Sequence, residues 1–109
     1  MTYQVRLLPR AKLQLVTAAL WWADHRSLEQ AALWLDGFEA ALQSLANDPE
    51  EWPLTPEGEA VQLQIREMTF GSGHRKTHRA IFEVRQHEVL VYAIRHLAQD
   101  VLTGDDFTP

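Results

Sequence analysis

Six of the chain's ten Lys and Arg residues (Arg66, Arg75, Lys76, Arg79, Arg85 and Arg95) fall between positions 66 and 96, with four of its five His: His74, His78, His87 and His96. Only Glu67, Glu83 and Glu88 oppose them there, whereas the rest of the chain holds four basic and twelve acidic residues. Guanidinium groups grip phosphate bidentately, and imidazole titrates near pH 6.5, so it can donate or accept a proton at neutral pH. Metal-independent RNA cleavage needs a base on the 2′-hydroxyl, an acid on the leaving oxygen and cations on the phosphate. Arg79 and Arg95 are therefore candidate phosphate clamps and His96 a candidate general acid or base. Arg66, Arg75, Lys76 and His78 are candidates for holding an anionic substrate. The plain alternative is that Arg79 and Arg95 pair with Glu67, Glu83 or Glu88 across neighbouring strands. Strand alternation also points adjacent Arg95 and His96 to opposite faces, unless the strand ends or twists there.

Other chemistries find less support. His74 and His78 are four apart, but they flank a strand start and no third ligand has matching spacing, so no metal site is expected. Gly71-Ser72-Gly73-His74-Arg75-Lys76 lacks the strand–loop–helix setting of a phosphate loop. It reads as a hairpin tip whose Arg75 and Lys76 touch nucleic acid or a protein partner. The chain has no Cys, which excludes disulfides, thiolate metal sites and a Cys nucleophile, and suits the cytoplasm. No cofactor is expected.

These residues need elements to position them. Tyr3 to Leu8 alternates as a short strand, and Pro9 suits the first turn of a helix. Arg10 to about Asp24 reads as that helix, with Leu13, Val16, Leu20 and Ala23 at helical spacing and Ala11, Leu15, Ala19 and Trp22 widening the stripe. Trp21 and Trp22 point about 100° apart, so one of them belongs at a rim or interface. Ser27 with Gln30 three residues on predicts a capped second helix, its apolar face made of Leu28, Ala31, Leu35, Phe38, Leu42 and Leu45. The short link between the helices predicts a hairpin. Asn47 to Gly58 holds three prolines and four acidic residues and reads as irregular, with Trp52 plugging it onto the core. Val61 to Phe70, Thr77 to Arg85 and Val89 to His96 read as three strands. The last is apolar on both faces and so central. The expected fold is α+β: an N-terminal strand, a helical hairpin, then a three-strand antiparallel meander. The helices pack on one face of an antiparallel sheet and the basic strands leave the other partly open.

At 109 residues a single domain over 1–109 is expected. The composition is that of an ordinary globular protein, 46% hydrophobic and 23% charged. Leu13 to Ala23, broken by Gln14 and Thr17, falls short of the roughly 20 apolar residues of a membrane span. The N-terminus has no signal-peptide pattern, so no membrane partner is expected. A net charge of −5 means that only the 66–96 block could meet phosphate.

In this order the pieces YQVRLLPRA, IREMTFG, HRAIFEV and VYAIRHLAQD resemble the RelE/ParE superfamily, the toxins of bacterial type II toxin–antitoxin systems, over nearly the whole chain. The resemblance implies a growth-inhibiting, often plasmid-stabilising toxin held inactive by a cognate antitoxin. It implies one of two targets. RelE-like members cut mRNA in the ribosomal A site, and ParE-like members poison DNA gyrase. Arg79 falls at the family's mid-strand arginine. Arg95 and His96 fall at the end of the last strand, where nuclease members carry phosphate-acting residues and gyrase poisons often a His. Asp100, four residues after His96, fits the gyrase branch, as do Glu67 beside Arg66 and the acidic net charge. Gyrase poisoning is thus preferred over a metal-independent endoribonuclease. A non-toxic module binding nucleic acid or protein is the third reading. Trp21 and Trp22 are the candidate antitoxin anchors.

Overall fold

Pro9 ends one strand and starts a helix in the same step, and this junction sets the architecture. In the computed structural model, which describes residues 2–71 and 75–97, strand β1 spans Gln4–Leu7 and helix α1 spans Pro9–His25. Pro at the first helical position loses no intrahelical hydrogen bond. Helix α2, Leu28–Gln43, follows at once, capped as expected: the Ser27 hydroxyl accepts from the Gln30 backbone N–H at 3.1 Å. Single 3₁₀ turns at Ser44–Ala46 and Pro49–Glu51 lead into a short helix α3, Pro56–Ala60. Strands β2 (Ile65–Phe70), β3 (His78–Arg85) and β4 (Glu88–His96) follow among the described residues.

The sheet order is β1-β4-β3-β2. β2, β3 and β4 form the expected antiparallel meander, and β4 is central. β1, however, joins β4 in parallel, from Gln4 opposite Glu88 to Leu7 opposite Val91. The sheet is therefore mixed rather than antiparallel, because the helical hairpin returns the chain to the starting end before the meander begins.

Two apolar clusters flank the sheet. One, between sheet and helices, holds Leu15, Trp34, Phe38, Leu42, Met68, Phe82, Val91 and Ile94, with Trp22 and Trp52 packed against it. Trp52 thus plugs the acidic loop onto the core. The other face carries Ile65, Ile81, Leu90, Tyr92 and Ala93, with Val61 and Leu63 against them. That face is less open than the sequence suggested, since α3 and the turn after it fold over its β2 side. Prolines did not forbid structure in 47–58; Pro49 and Pro56 each begin a helical turn.

The helical stripes also differ from expectation. Leu13, Val16 and Leu20 are 68%, 51% and 59% exposed, and α1 is buried instead through Ala11 and Leu15. The helix is apolar on two sides, and periodicity alone does not say which one faces inward. On α2, Leu28 is exposed, and Trp34, which the expected stripe left out, is buried with Ala31, Phe38 and Leu42.

A β-bulge shapes the end of the sheet. Ile81 pairs with Ala93 but Phe82 with Val91, so Tyr92 is an extra residue in β4. Tyr92 and Ala93 both turn to the face away from the helices, and Ile94 returns to the helix side.

Candidate functional site

The bulge decides where the candidate chemistry lies. Simple alternation from Val89 and Val91 would put Arg95 on the helix side and His96 on the far side. With one extra residue the assignment reverses. His96 pairs with His78 across the strands, their ring centroids 5.2 Å apart. Arg95 pairs with Arg79 on the opposite face. Arg79, Arg95 and His96 are therefore not brought to one site: the two arginines share one face of the sheet and the histidine sits on the other.

Arg79 is 8% exposed. Its Nη1 and Nη2 donate to the Oε1 and Oε2 of Glu57 at 2.6 and 3.0 Å, and Nη1 also reaches Glu67 Oε2 at 3.3 Å. The hydrogen bond to Glu57, with the charges of Glu57 and Glu67, raises the Arg79 pKa further above its already high value against the opposing effect of burial. The cross-strand pairing weighed from sequence is thus present for Glu67, but the main partner is Glu57, on α3. Close by, the Tyr92 hydroxyl donates to Glu83 Oε1 at 2.7 Å, and Arg85 lies 3.0 Å from the same oxygen. Burial first, then this bond, pushes the Tyr92 pKa up to about 12.

Arg66 is committed elsewhere. Its Nη1 donates to the carbonyls of Glu50 and Trp52 at 2.9 and 2.7 Å, tying the acidic loop to the outer edge of β2. That edge is further covered by backbone bonds from Thr55 N–H to the Ile65 carbonyl and from Glu67 N–H to the Pro53 carbonyl.

On the helix side the structure does gather candidates. A cleft of about 1020 Å³ opens between α1 and the paired ends of β3 and β4, and its walls include Trp21, Trp22, Arg75, Lys76, His78 and His96. The expected split of the tandem tryptophans holds. Trp22 packs on the core, and Trp21 is half exposed, edge-on to Trp22 and stacked on His25 at 4.4 Å. His78 rests against Trp34, its ring centroid 5.1 Å away, and its Nδ1 lies 2.8 Å from the Thr77 hydroxyl. Burial, and secondarily the charge of His96, lower the His78 pKa to about 4, so it is neutral at pH 7. The walls also hold Leu13, which the sequence assigned to the helix's apolar stripe, and residues it did not mark: Arg26, Leu97 and Gln14, whose Oε1 accepts the Ile94 backbone N–H at 2.8 Å. Nothing local in the sequence couples Gln14 to Ile94 or Glu57 to Arg79; only tertiary packing does.

Among the described residues no three His, Asp or Glu side chains cluster as metal ligands, and no helix is long and apolar enough to cross a membrane. His74 and Asp100 lie outside the described residues.

Residues 5–101 match the family model described as ParE toxin of type II toxin-antitoxin system, parDE. Among solved structures, the chromosomal ParDE TA system from P. aeruginosa contains a chain similar to this one, with a TM-score of 0.67 at 13% identity, over 87% of this chain and 96% of that one. No curated protein matches the sequence significantly.

Proposed function

From the premise that this chain belongs to the ParE toxin family, as the toxin component of a type II toxin–antitoxin pair with a cognate antitoxin as partner, we propose that it acts in the cytoplasm by poisoning DNA gyrase through surface contact rather than by cutting RNA. One observation carries this reading: Arg79 is held by Glu57 and Glu67 on one face of the sheet while His96 lies on the other. A nuclease needs its cations and its proton-transfer group around one phosphate, with the cations aimed at the charge that develops there. Here the best-placed arginine already has two carboxylates. Docking on a protein needs no such convergence, only apolar anchors and complementary charge, both of which the cleft beside Trp21 supplies.

The test is to induce the chain without its antitoxin, map mRNA ends on ribosomes, and assay supercoiling by purified gyrase with the purified chain added. Inhibited supercoiling with intact mRNA is expected. Cuts in the ribosomal A site that vanish in Arg95→Ala or His96→Ala, with gyrase unaffected, would instead make this chain an endoribonuclease. Intact mRNA, active gyrase and unchanged growth would leave a non-toxic binding module.

A further inference from the structure

His78 and His96 stand opposite each other at the end of the β3–β4 pairing. The backbone bond from Leu97 N–H to the Thr77 carbonyl, 2.9 Å, closes the ladder beside them. They are therefore a non-hydrogen-bonded pair, the kind whose side chains come closest across an antiparallel ladder. Their ring centroids lie 5.2 Å apart with the ring planes at 76°. Two imidazoles that each give one nitrogen to a tetrahedral metal, at about 2.0–2.1 Å, hold their centroids roughly 5 Å apart. The rings thus stand at the separation of a two-histidine chelate before any ion arrives.

Their surroundings favour the coordinating form. His78 rests on Trp34 and Phe38, with centroid distances of 5.1 and 6.2 Å, so its ring loses little freedom when it binds an ion. Its Nδ1 lies 2.8 Å from the Thr77 hydroxyl. With Nδ1 engaged there, Nε2 is the atom left to coordinate, and the hydroxyl orients the ring as outer partners of metal-bound histidines do. Burial keeps this ring neutral at pH 7, and neutral imidazole is the ligand. His96 is exposed, and both rings line the cleft, so an ion reaches them from solvent.

We propose that His78 and His96 together bind a transition-metal dication of the Zn²⁺ or Cu²⁺ type, with water in the remaining coordination positions. The partner of His78 comes from the neighbouring strand, where spacing along the sequence does not reveal it. Two protein ligands make this an open site rather than a structural one. Arg75 and Lys76 line the same cleft, and their charge opposes any dication. That opposition rules against Mg²⁺ and Ca²⁺, which seek oxygen ligands, more than against ions that bond well to imidazole. The inference does not depend on which target the toxin attacks.

The experiment titrates the full chain, free of any affinity tag and stripped with chelator, with zinc chloride, copper chloride and magnesium chloride in isothermal titration calorimetry. One ion per chain is expected, Cu²⁺ binding more tightly than Zn²⁺, and Mg²⁺ giving no heat. His78→Phe keeps an aromatic ring against Trp34, and His96→Asn changes an exposed side chain; circular dichroism checks that both are folded. Each should weaken binding by at least about 10–100-fold, since losing even an outer partner of a ligand costs that much. His25→Asn and His87→Asn should match the native chain. Zn²⁺ should also raise the thermal midpoint of the native chain and leave those of His78→Phe and His96→Asn unmoved. No binding of Zn²⁺ or Cu²⁺ by the native chain overturns the proposal. So does native affinity in either His78→Phe or His96→Asn, loss confined to His25→Asn or His87→Asn, or Mg²⁺ binding as tight as Zn²⁺.

Discussion

Arg79 and Glu57 form a two-pronged ion pair, Nη1 to Oε1 at 2.6 Å and Nη2 to Oε2 at 3.0 Å, that joins the middle of the sheet to a five-residue helix. Both side chains are nearly buried. The pair fastens α3 over Ile65, and so covers the β2 side of the face that carries the arginines. Removing one partner from such a pair leaves an uncompensated buried charge, which typically costs about 3–5 kcal/mol. Glu57→Ala should destabilise the fold by that order in urea unfolding, with Glu67 recovering part of the loss. The double variant Arg79→Met, Glu57→Leu should be far closer to the native chain, since well-packed apolar replacements of buried pairs are often neutral. A double variant as unstable as Glu57→Ala would show that α3 is held by something other than this pair.

Much of this arrangement was open to sequence reasoning, and the parts that were not share a cause. Ser27 with Gln30 marked the helix start because capping is decided by a few adjacent residues. Val89 to His96 revealed its central place because burial on both faces needs an apolar run. Three features escaped. The parallel pairing of β1 depends on where a helical hairpin returns the chain. The bulge at Tyr92 leaves no composition signal, yet it exchanges the faces of Arg95 and His96. Glu57 sits in an acidic, proline-rich stretch that looks like solvated loop, and it becomes a core residue only because Arg79 waits beneath it. The first and the third are contacts between residues far apart in the chain, and the bulge is a register shift inside a hairpin; neither periodicity nor capping rules encode either kind. The Leu13, Val16 and Leu20 stripe failed differently. Its period was right, but a helix apolar on two sides gives no rule for choosing between them.

The junction of α3 and β2 depends on a missing side chain. A Cβ at Gly58 would stand 2.4 Å from the Leu63 carbonyl oxygen and 2.9 Å from the Ile65 nitrogen. Both are backbone atoms, and the Leu63 N–H bonds to the Gly58 carbonyl at 2.9 Å, so the turn has no flexible group that could give way. Gly58→Ala should cost about 1–3 kcal/mol, the usual range for overpacking. A thermal midpoint within 1 °C of the native chain (roughly, given several degrees per kcal/mol at this size) would contradict that close approach.

Gln14 does for β4 what a neighbouring strand does elsewhere in the sheet. β1 pairs only as far as Val91, and the Ile94 N–H beyond it is satisfied by the Gln14 side chain. Gln14→Leu should leave that donor unpaired at a cost of about 1–3 kcal/mol, and hydrogen exchange should speed up at Ile94 more than at Val89 or Val91. Uniform exchange across β4 would mean that water replaces Gln14 without loss.

Acid stability should report on His78. Its pKa of about 4 in the folded chain, set by burial and then by His96, lies below the ordinary His value of 6.5. Between those limits the unfolded chain binds a proton that the folded chain does not. Stability from this group is therefore fully present above pH 6.5 and is lost as pH falls toward 4. His78 is only partly buried, so solvent screening reduces the effect to about 1–2 kcal/mol. Carboxylates also lose their charge in acid, and for that reason the informative quantity is a difference. Urea unfolding of the native chain and of His78→Leu, measured at pH 7, 6, 5 and 4, should give stability curves that converge or cross as pH falls, with the variant losing less. Parallel curves across the whole range would show that His78 takes up its proton without disturbing the packing against Trp34, and that burial does not hold it neutral.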